Sequence, residues 1–146
     1  MIVDYKFKVR WGNTDAAGIV FYPNFYKWMD DATHEFLAAI GFPSSTLYVE
    51  QQISVPLLEA NCQFKSPLFF EDHVTVRSSV VEMHQKVFKI SHMFFKDEKM
   101  VAEGYEIRAW TSFIEKPKAH PIPNHIREKM MAENAVIVKS EANVDR

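Results

Sequence analysis

The sequence contains a single cysteine, Cys62, among its 146 residues. An intramolecular disulfide is therefore impossible, and a lone thiol is typical of a protein from a reducing compartment. The chain also lacks an excess of charge of one sign, because 17 Lys and Arg stand against 19 Asp and Glu, for a net charge of -2. Binding to a phosphate backbone requires an excess of positive charge, so the composition argues against a nucleic-acid partner.

Long hydrophobic runs are missing as well. No stretch approaches the roughly 18 apolar residues of a membrane-spanning helix, and charged residues interrupt the first ten positions, where a signal peptide needs an apolar core. We therefore expect a cytoplasmic protein with no membrane partner. The sequence shows no internal repeat or low-complexity segment, and its length fits one domain spanning residues 1–146.

Glycine and proline are few, so their positions are informative about element ends. Residues 5–11 alternate apolar and charged side chains, the period of a strand with one buried face. From Pro23 to Ile40 apolar side chains recur at steps of three and four residues, which is typical of an amphipathic helix. Pro23 suits the first helical position and Gly41 the position after the last, so the spacing predicts one helix of about five turns.

Aromatic and β-branched residues return after this helix. Four runs predict strands, at 53–66, 72–82, 86–96 and 100–114. The last run keeps apolar residues on both faces, which predicts a sheet covered on both sides, for example by the helix and by another subunit. The tail from about residue 116 carries three prolines and a polar helical pattern at 124–133, and is expected to be peripheral. The order of elements predicts an α+β architecture with one helix against a sheet.

One carboxylate, Asp15, lies in a loop of small and polar residues, 12–18, just before the predicted helix. An Asp between small residues commonly makes an Asx turn, which is the structural interpretation. The catalytic interpretation is that a carboxylate beside the unpaired N–H groups of a helix start can act next to an oxyanion site. The residues alone leave both interpretations open.

The run from Trp11 to Asp30, followed by Gly41-Phe42-Pro43, closely resembles the start of the 4-hydroxybenzoyl-CoA thioesterase family of hotdog-fold enzymes. Its specific part is the pattern D-x-A-G-I-V-x-Y-x-x-F, which begins at Asp15. Weaker similarity continues to Glu106-Ile107-Arg108, so the resemblance covers residues 4 to about 115. It implies a hotdog fold, in which a long helix is wrapped by a curved antiparallel sheet, and this agrees with the layout predicted from periodicity.

The resemblance implies hydrolysis of an acyl-CoA thioester without a metal or a redox cofactor. The family's catalytic carboxylate corresponds to Asp15, acting either as the nucleophile or as the general base for water. The main-chain N–H that polarises the thioester carbonyl corresponds to that of Tyr22, because Pro23 has no N–H. Subunits of this family pair their sheets edge to edge, so the resemblance also implies a homo-oligomer, a dimer or a tetramer.

A substrate class follows from the same resemblance. Asp30 corresponds to a helix position that meets the ring hydroxyl in aryl-specific members, which implies a hydroxylated aromatic acyl-CoA of the 4-hydroxybenzoyl-CoA or gentisyl-CoA type. A buried carboxylate at this position would need a donor to offset its desolvation. The alternative for Asp30 is a solvated helix face opposite the aromatic stripe.

Two further segments correspond to CoA-binding positions in the family. Val55, Pro56 and Leu57 correspond to the loop beside the pantetheine arm. Lys86 corresponds to a basic position near the nucleotide phosphates, whereas the preceding two residues, His84 and Gln85, stand where the aryl-specific relative has arginines. For both segments the alternative is structural, a strand start and a hairpin turn.

Other kinds of active site lack their motifs. His34-Glu35 is without the second histidine of a zinc protease, because residue 38 is Ala38. His120 and His125 are two ligands where zinc sites use three or four, so no metal site is expected. Two alternatives to a hydroxyaryl-CoA thioesterase stay open: a thioesterase for short aliphatic acyl groups, and a non-catalytic acyl-binding module on the same fold.

Overall fold

A computed structural model describes residues 1–133 and 136–141. A short 3-10 turn, Trp11–Asn13, follows the first strand. The elements, in chain order, are β1 (Ile2–Lys8), α1 (Pro23–Ala39), α2 (Ser44–Gln51), β2 (Ile53–Ser54), β3 (Leu57–Phe64), β4 (His73–Met83), β5 (Val87–Lys96), β6 (Lys99–Ala109), β7 (Thr111–Ser112), β8 (Lys118–Ala119), α3 (Asn124–Met131) and β9 (Val136–Ser140).

The main sheet has the strand order β3-β6-β5-β4-β1-β9. Its neighbours pair antiparallel except β1 and β9, which run parallel. Register shifts leave Val81 of β4 and Val101 of β6 unpaired against β5, and such bulges bend strands. Helix α1 packs on this curved sheet, while β2, β7 and β8 form a small second sheet. The predicted α+β architecture, with one long helix against an antiparallel sheet, is confirmed.

Helix α1 begins at Pro23, as predicted, and ends at Ala39. Gly41 follows with φ +95°, a left-handed conformation that glycine adopts without strain. The apolar stripe is buried against the sheet through Phe25, Trp28, Met29, Ala32, Phe36 and Leu37. Burial of each large side chain contributes about 1.5–3 kcal/mol, so packing of this stripe, rather than helix propensity, holds α1 on the sheet.

The strands differ from the predicted runs chiefly at their ends. The first strand lies three residues earlier than predicted, because Trp11 enters the 3-10 turn and is 73% exposed. The run 53–66 divides into β2 and β3 around Pro56, which cannot donate to a ladder. The run 100–114 divides into β6 and β7 at Trp110. The runs 72–82 and 86–96 match β4 and β5 closely.

Two features of the structure depart from the sequence analysis. Helix α2 is not predicted, because Leu47 is its one buried residue and no apolar stripe marks it. The tail is also not peripheral: Ile122, Ile126 and Met130 are at most 3% exposed in the core, and β9 extends the sheet beside β1. Spacing of four residues places Ile126 and Met130 on one face of the otherwise polar α3. Residues 134–135 and 142–146 of the tail lie outside the described part of the chain.

Candidate active site

The loop around Asp15 is a tight hairpin. The Asp15 N–H donates to the Ile19 carbonyl at 2.9 Å, and the Gly18 N–H donates to the Asp15 carbonyl at 2.9 Å. Asp15 Oδ1 accepts a hydrogen bond from the Ala17 N–H at 2.8 Å, so the Asx turn exists. The side chain is nevertheless exposed, and its second oxygen, Oδ2, has no hydrogen-bond partner within residues 1–133 and 136–141. The structural and catalytic interpretations are therefore compatible, since the turn uses one carboxylate oxygen and leaves the other open.

The same loop is tied to the start of α1. The Phe21 N–H and the Asn24 side-chain amide both donate to the Asn13 carbonyl at 2.8 Å. Tyr22 precedes Pro23 with helical φ and ψ, and its N–H finds no acceptor in the described part of the chain. An unpaired N–H at a helix start is what an oxyanion donor requires. The catalytic role of this N–H stays a prediction.

An apolar cavity of about 430 Å³ opens beside Tyr22. Its lining includes Ile19, Tyr22, Phe25, Phe64 and Leu68. The Phe64 ring is 5.0 Å from that of Phe25 and 6.4 Å from that of Tyr22, and Phe64 and Tyr22 are 48% and 60% exposed. The cavity is thus aromatic, open to solvent, and large enough for a small organic group.

A larger cavity, of about 660 Å³, lies elsewhere, over β1, β4 and β5. It is lined by charged side chains such as Asp4, Lys6 and Arg77, and it contains none of the predicted site residues. Its size alone does not make it the candidate site, because Asp4 and Arg77 already neutralise each other through two hydrogen bonds of 2.9 Å. The smaller cavity beside Tyr22 has the chemistry of a ligand site.

Asp30 is half-exposed on α1 and is not free in solvent. Its Oδ1 accepts a hydrogen bond from Arg108 Nη2 at 2.7 Å and lies 3.3 Å from His34 Nε2. The hydrogen bond from His34 is the strongest influence on this group, and with that from Arg108 it lowers the pKa of Asp30 to about 2 against the opposing effect of burial. Asp30 therefore needs no substrate hydroxyl to offset its desolvation, contrary to the expectation from sequence, because Arg108 and His34 supply the donors.

A buried polar network stands behind Asp30. Arg108, whose side chain is 4% exposed, donates to both oxygens of Glu106 at 3.1 and 2.8 Å. Glu106 also accepts hydrogen bonds from Thr33 Oγ1 and from His92 Nε2, the latter at 3.1 Å. Ser78 Oγ lies 2.6 Å from the other ring nitrogen of His92. The charges of this network are thus enclosed and hydrogen-bonded.

The protonation states within the network are set by burial and by these contacts. Burial alone would raise the pKa of Glu106, but hydrogen bonds from His92 and Arg108 outweigh it and lower the pKa to about 2. Desolvation lowers the pKa of His92 despite the neighbouring carboxylate. A neutral His92 whose Nε2–H donates to Glu106 and whose Nδ1 accepts from the Ser78 hydroxyl fits both of these contacts.

Arg108 joins two of the predicted substrate-binding positions. Besides Asp30 it contacts Val55, whose carbonyl accepts a hydrogen bond from Nη1 at 2.8 Å. Val55 is buried, the Pro56 carbonyl accepts from the Ala109 N–H at 3.2 Å, and Leu57 begins β3 with 49% of its surface exposed. The structure thus brings Asp30 together with the 55–57 segment.

Sequence patterns do not identify four residues that surround Asp30 in the structure: Arg108, Glu106, His34 and His92. The available signal is the charged pair Glu106 and Arg108, two residues apart on a strand and hence on one face. The prediction of two apolar faces for this strand is wrong at these positions, since Glu106 and Arg108 both contact α1.

His84, Gln85 and Lys86 form the exposed turn between β4 and β5. Arg127, from α3, donates to the His84 carbonyl at 2.7 Å and to the Gln85 carbonyl at 3.3 Å, which adds a basic side chain that the sequence analysis does not include. In the described ranges no hydrogen bond or ion pair connects this turn with Asp15 or Asp30. The turn lies nearer to the predicted 55–57 segment, because the Lys86 carbonyl accepts from the Trp110 N–H at 2.8 Å and the neighbouring Ala109 N–H donates to the Pro56 carbonyl at 3.2 Å.

Two negative findings apply to residues 1–133 and 136–141. No helix there is long and apolar enough to cross a membrane. In the same ranges, no three His, Cys, Asp or Glu side chains are grouped as metal ligands.

Comparisons with known proteins identify the family. The model of the Thioesterase-like superfamily matches residues 9–130, and the chain belongs to this superfamily. A solved gentisyl-coenzyme A thioesterase is 47% identical, covers 88% of this chain and 99% of that one, and superposes with a TM-score of 0.80. A putative esterase of Aquifex aeolicus (strain VF5) is 35% identical over 100 residues, 68% of this chain and 77% of the relative.

A third relative is the 4-hydroxybenzoyl-CoA thioesterase of Pseudomonas sp. (strain CBS-3), 26% identical over 110 residues, 70% of this chain and 78% of the relative. Its solved structure has a TM-score of 0.80 and covers 86% of this chain and 97% of that one. The predicted family, the hotdog fold and the class of enzyme, an acyl-CoA thioesterase, are confirmed. The roles of individual site residues stay predictions.

Proposed function

We propose that this protein hydrolyses the thioester of a hydroxylated aromatic acyl-CoA, of the 4-hydroxybenzoyl-CoA or gentisyl-CoA type. One observation carries the proposal: an open Asp15 carboxylate oxygen lies on a loop that is hydrogen-bonded to a helix start with an unpaired Tyr22 N–H. An anionic reactant and an oxyanion donor are the two groups that thioester hydrolysis without a metal requires. The names of the relatives support the aromatic acyl group.

In the proposed mechanism the thioester carbonyl oxygen accepts a hydrogen bond from the Tyr22 N–H. Asp15 then either attacks the carbonyl carbon, forming an anhydride as the CoA thiolate leaves, or removes a proton from a water that attacks instead. The two routes differ in a measurable way. A single turnover in ¹⁸O-water labels the Asp15 carboxylate only if an anhydride forms and water then attacks its Asp15 carbonyl, whereas on the general-base route all of the label enters the acid product.

The acyl ring occupies the aromatic cavity beside Tyr22, where burial of flat apolar surface stabilises it. Asp30 is not among the residues that line this cavity in one subunit. We propose that a second subunit completes the pocket and that Asp30 there accepts a hydrogen bond from a ring hydroxyl. Asp30 Oδ1 is held by Arg108 and His34, whereas its Oδ2 has no partner in the described part of the chain. The Val55–Leu57 segment lies along the pantetheine arm, and the exposed turn His84–Lys86 contacts the nucleotide phosphates. No metal or redox cofactor enters this reaction.

We also propose that the protein is a homo-oligomer, a dimer or a tetramer. Strand β3 is at the edge of the described sheet and exposes Leu57, Leu58 and Phe64 at 49%, 59% and 48%. An unpaired edge with exposed apolar side chains favours pairing with a second chain. Sedimentation equilibrium tests this, because a species of 17.0 kDa at assay concentration would contradict it.

The decisive experiment is a thiol-release assay with 4-hydroxybenzoyl-, 2,5-dihydroxybenzoyl-, phenylacetyl-, butyryl- and palmitoyl-CoA, each with wild type and Asp15→Asn. We expect hydroxyaryl substrates to be preferred and turnover to fall by about 10²–10⁴-fold in the variant. Comparable turnover of butyryl-CoA would favour the aliphatic alternative. Binding of acyl-CoA without turnover, unchanged in Asp15→Ser, would favour the acyl-binding module.

A further inference from the structure

The Asp30 carboxylate is held on a second side by an ion-pair contact with His34, which is itself hydrogen-bonded to Ser44. His34 lies one helical turn after Asp30 on α1, with Nε2 3.3 Å from Asp30 Oδ1. Its other ring nitrogen, Nδ1, is within hydrogen-bond range of Ser44 Oγ. Ser44 is the first residue of α2. The imidazole is therefore fixed at both nitrogens, between two helices.

The direction of these hydrogen bonds follows from the chemistry of the acceptor. Asp30 is a carboxylate and can only accept, so the favourable arrangement has a proton on Nε2, the ring nitrogen that lies 3.3 Å from Asp30 Oδ1. A neutral His34 then has a bare Nδ1, which accepts from the Ser44 hydroxyl. A protonated His34 donates through both nitrogens and keeps the same bond to Asp30. In either state His34 orients the carboxylate.

Arg108 and His34 converge on one oxygen of Asp30. Arg108 cannot follow a moving carboxylate, because it makes four hydrogen bonds to Glu106, Val55 and Asp30 and is 4% exposed. With His34 in place, Oδ1 has two donors. Without His34 the carboxylate is free to turn about its last side-chain bond and to offer both oxygens to Arg108.

Ser44, His34 and Asp30 are the residue types of a serine hydrolase triad. Their arrangement, however, holds Asp30 in place and does not activate the serine. In such triads Nε2 faces the serine and Nδ1–H faces the carboxylate. Here the two ring nitrogens are used the other way round. Asp30 is moreover bound by Arg108, so its charge is already shared with a guanidinium and is less available to stabilise an imidazolium.

We propose that His34, supported by Ser44, is a specificity-determining positioning residue: it fixes Asp30 through Oδ1 and so keeps Oδ2 available for a hydroxyl on the acyl group. This inference rests on the proposed function, in which Asp30 meets that hydroxyl. It predicts that loss of His34 weakens the discrimination between hydroxylated and unhydroxylated aromatic substrates, while the chemistry at Asp15 is unaffected.

The test compares 4-hydroxybenzoyl-CoA with benzoyl-CoA, which differ only in the ring hydroxyl. The ratio of their kcat/KM values is measured for wild type, His34→Leu, His34→Gln and Ser44→Ala. We expect His34→Leu to lower this ratio by about tenfold, mainly through a higher KM for the hydroxylated substrate, because a hydrogen-bonded charged group loses its alignment. His34→Gln, which keeps an N–H donor, restores part of the ratio, and Ser44→Ala lowers it less than His34→Leu.

The matched control is His120→Leu, because His120 is exposed and outside this network. In His120→Leu the ratio of kcat/KM for 4-hydroxybenzoyl-CoA to that for benzoyl-CoA should equal the ratio in wild type. An unchanged ratio in both His34→Leu and Ser44→Ala would overturn the inference, and so would an equal loss with both substrates. If wild type itself does not discriminate, the proposed hydroxyaryl function fails first, and the inference fails with it. Ser44→Ala removes only one part-buried hydroxyl, so this variant tests the inference even if His34→Leu folds poorly.

Discussion

Replacement of the buried Glu106 by glutamine should lower the free energy of unfolding more than the same replacement of a glutamate on the surface. Glu106 is 1% exposed and accepts hydrogen bonds from Thr33, His92 and Arg108. Glutamine has the same shape but one acceptor oxygen, and its NH₂ group would face donors. Breaking a buried ion pair by removing one partner costs about 3–5 kcal/mol, so we expect a loss of that size in the free energy of unfolding.

The assay is urea denaturation at pH 7 with circular dichroism, read as a lower midpoint at constant m-value. Glu103→Gln is the matched control, because Glu103 lies on the same strand, is 43% exposed, and pairs with Lys65 at 3.6 Å. Its effect should stay within about 1 kcal/mol. A loss below about 1 kcal/mol in Glu106→Gln would refute the reasoning, since the three donors would then not depend on the carboxylate charge.

The same carboxylate makes stability depend on pH with a defined sign. The pKa of Glu106 is lowered from 4.5 to about 2 on folding, so the folded state binds its proton less tightly than the unfolded chain. The stabilisation is therefore complete above about pH 4.5 and is lost as pH falls toward 2. A shift of this size corresponds to about 3 kcal/mol, which agrees with the loss expected from the substitution. In Glu106→Gln this acid-dependent part should disappear.

Three further substitutions test other parts of the structure. Tyr22→Phe should leave turnover within about threefold of wild type, because the proposed oxyanion donor is the main-chain N–H of residue 22 and the variant keeps it. A loss of about 10²-fold or more, the size expected for a general acid or base, would assign a catalytic role to the Tyr22 hydroxyl instead. Gly104→Ala should lower the melting temperature, because a Cβ there would lie 2.8 Å from Met29 Sδ and 2.3 Å from a backbone oxygen of β3. Gly12→Ala is the control, since a Cβ at that position meets nothing within 4 Å. Ile126→Ala should cost about 2–5 kcal/mol in urea denaturation, and a change near zero would mean that the tail does not belong to the core.

Periodicity predicts the parts of the fold that have one buried face. The stripe from Phe25 to Leu37 repeats over the full length of α1, and Pro23 and Gly41 mark its two ends through their backbone preferences. Helix α2 offers no such pattern, because its single buried residue is Leu47. The tail is misjudged for a related reason. Two buried residues in α3 are too few to show against its polar composition.

The candidate site is only partly accessible to sequence reasoning. Asp15 and Tyr22 are close in the chain, so a local pattern is enough to relate them. Asp30 and Val55 are related only through Arg108, which lies 78 positions after Asp30 and contacts it across the sheet–helix interface. Contacts between residues so far apart in the chain depend on which strands pair and in which register, and local periodicity does not specify this. The resemblance to known thioesterases reaches Arg108 but gives it no role, so it indicates these positions without showing what joins them.

The buried charges on β6 are better explained by orientation than by stability. Replacing a buried ion pair by apolar residues of similar volume is often neutral or stabilising, so burial of Glu106 and Arg108 is weak evidence for a stabilising role. Charged groups contribute orientation instead. The Arg108 guanidinium is fixed in one position by its four hydrogen bonds, and it fixes Asp30 Oδ1 in turn. The direction fixed here is that of Asp30, which is the exposed end of the network. Under the proposed function, a rigid acceptor at that end would distinguish a hydroxylated ring from a bare one, because its donors are ordered before the substrate binds.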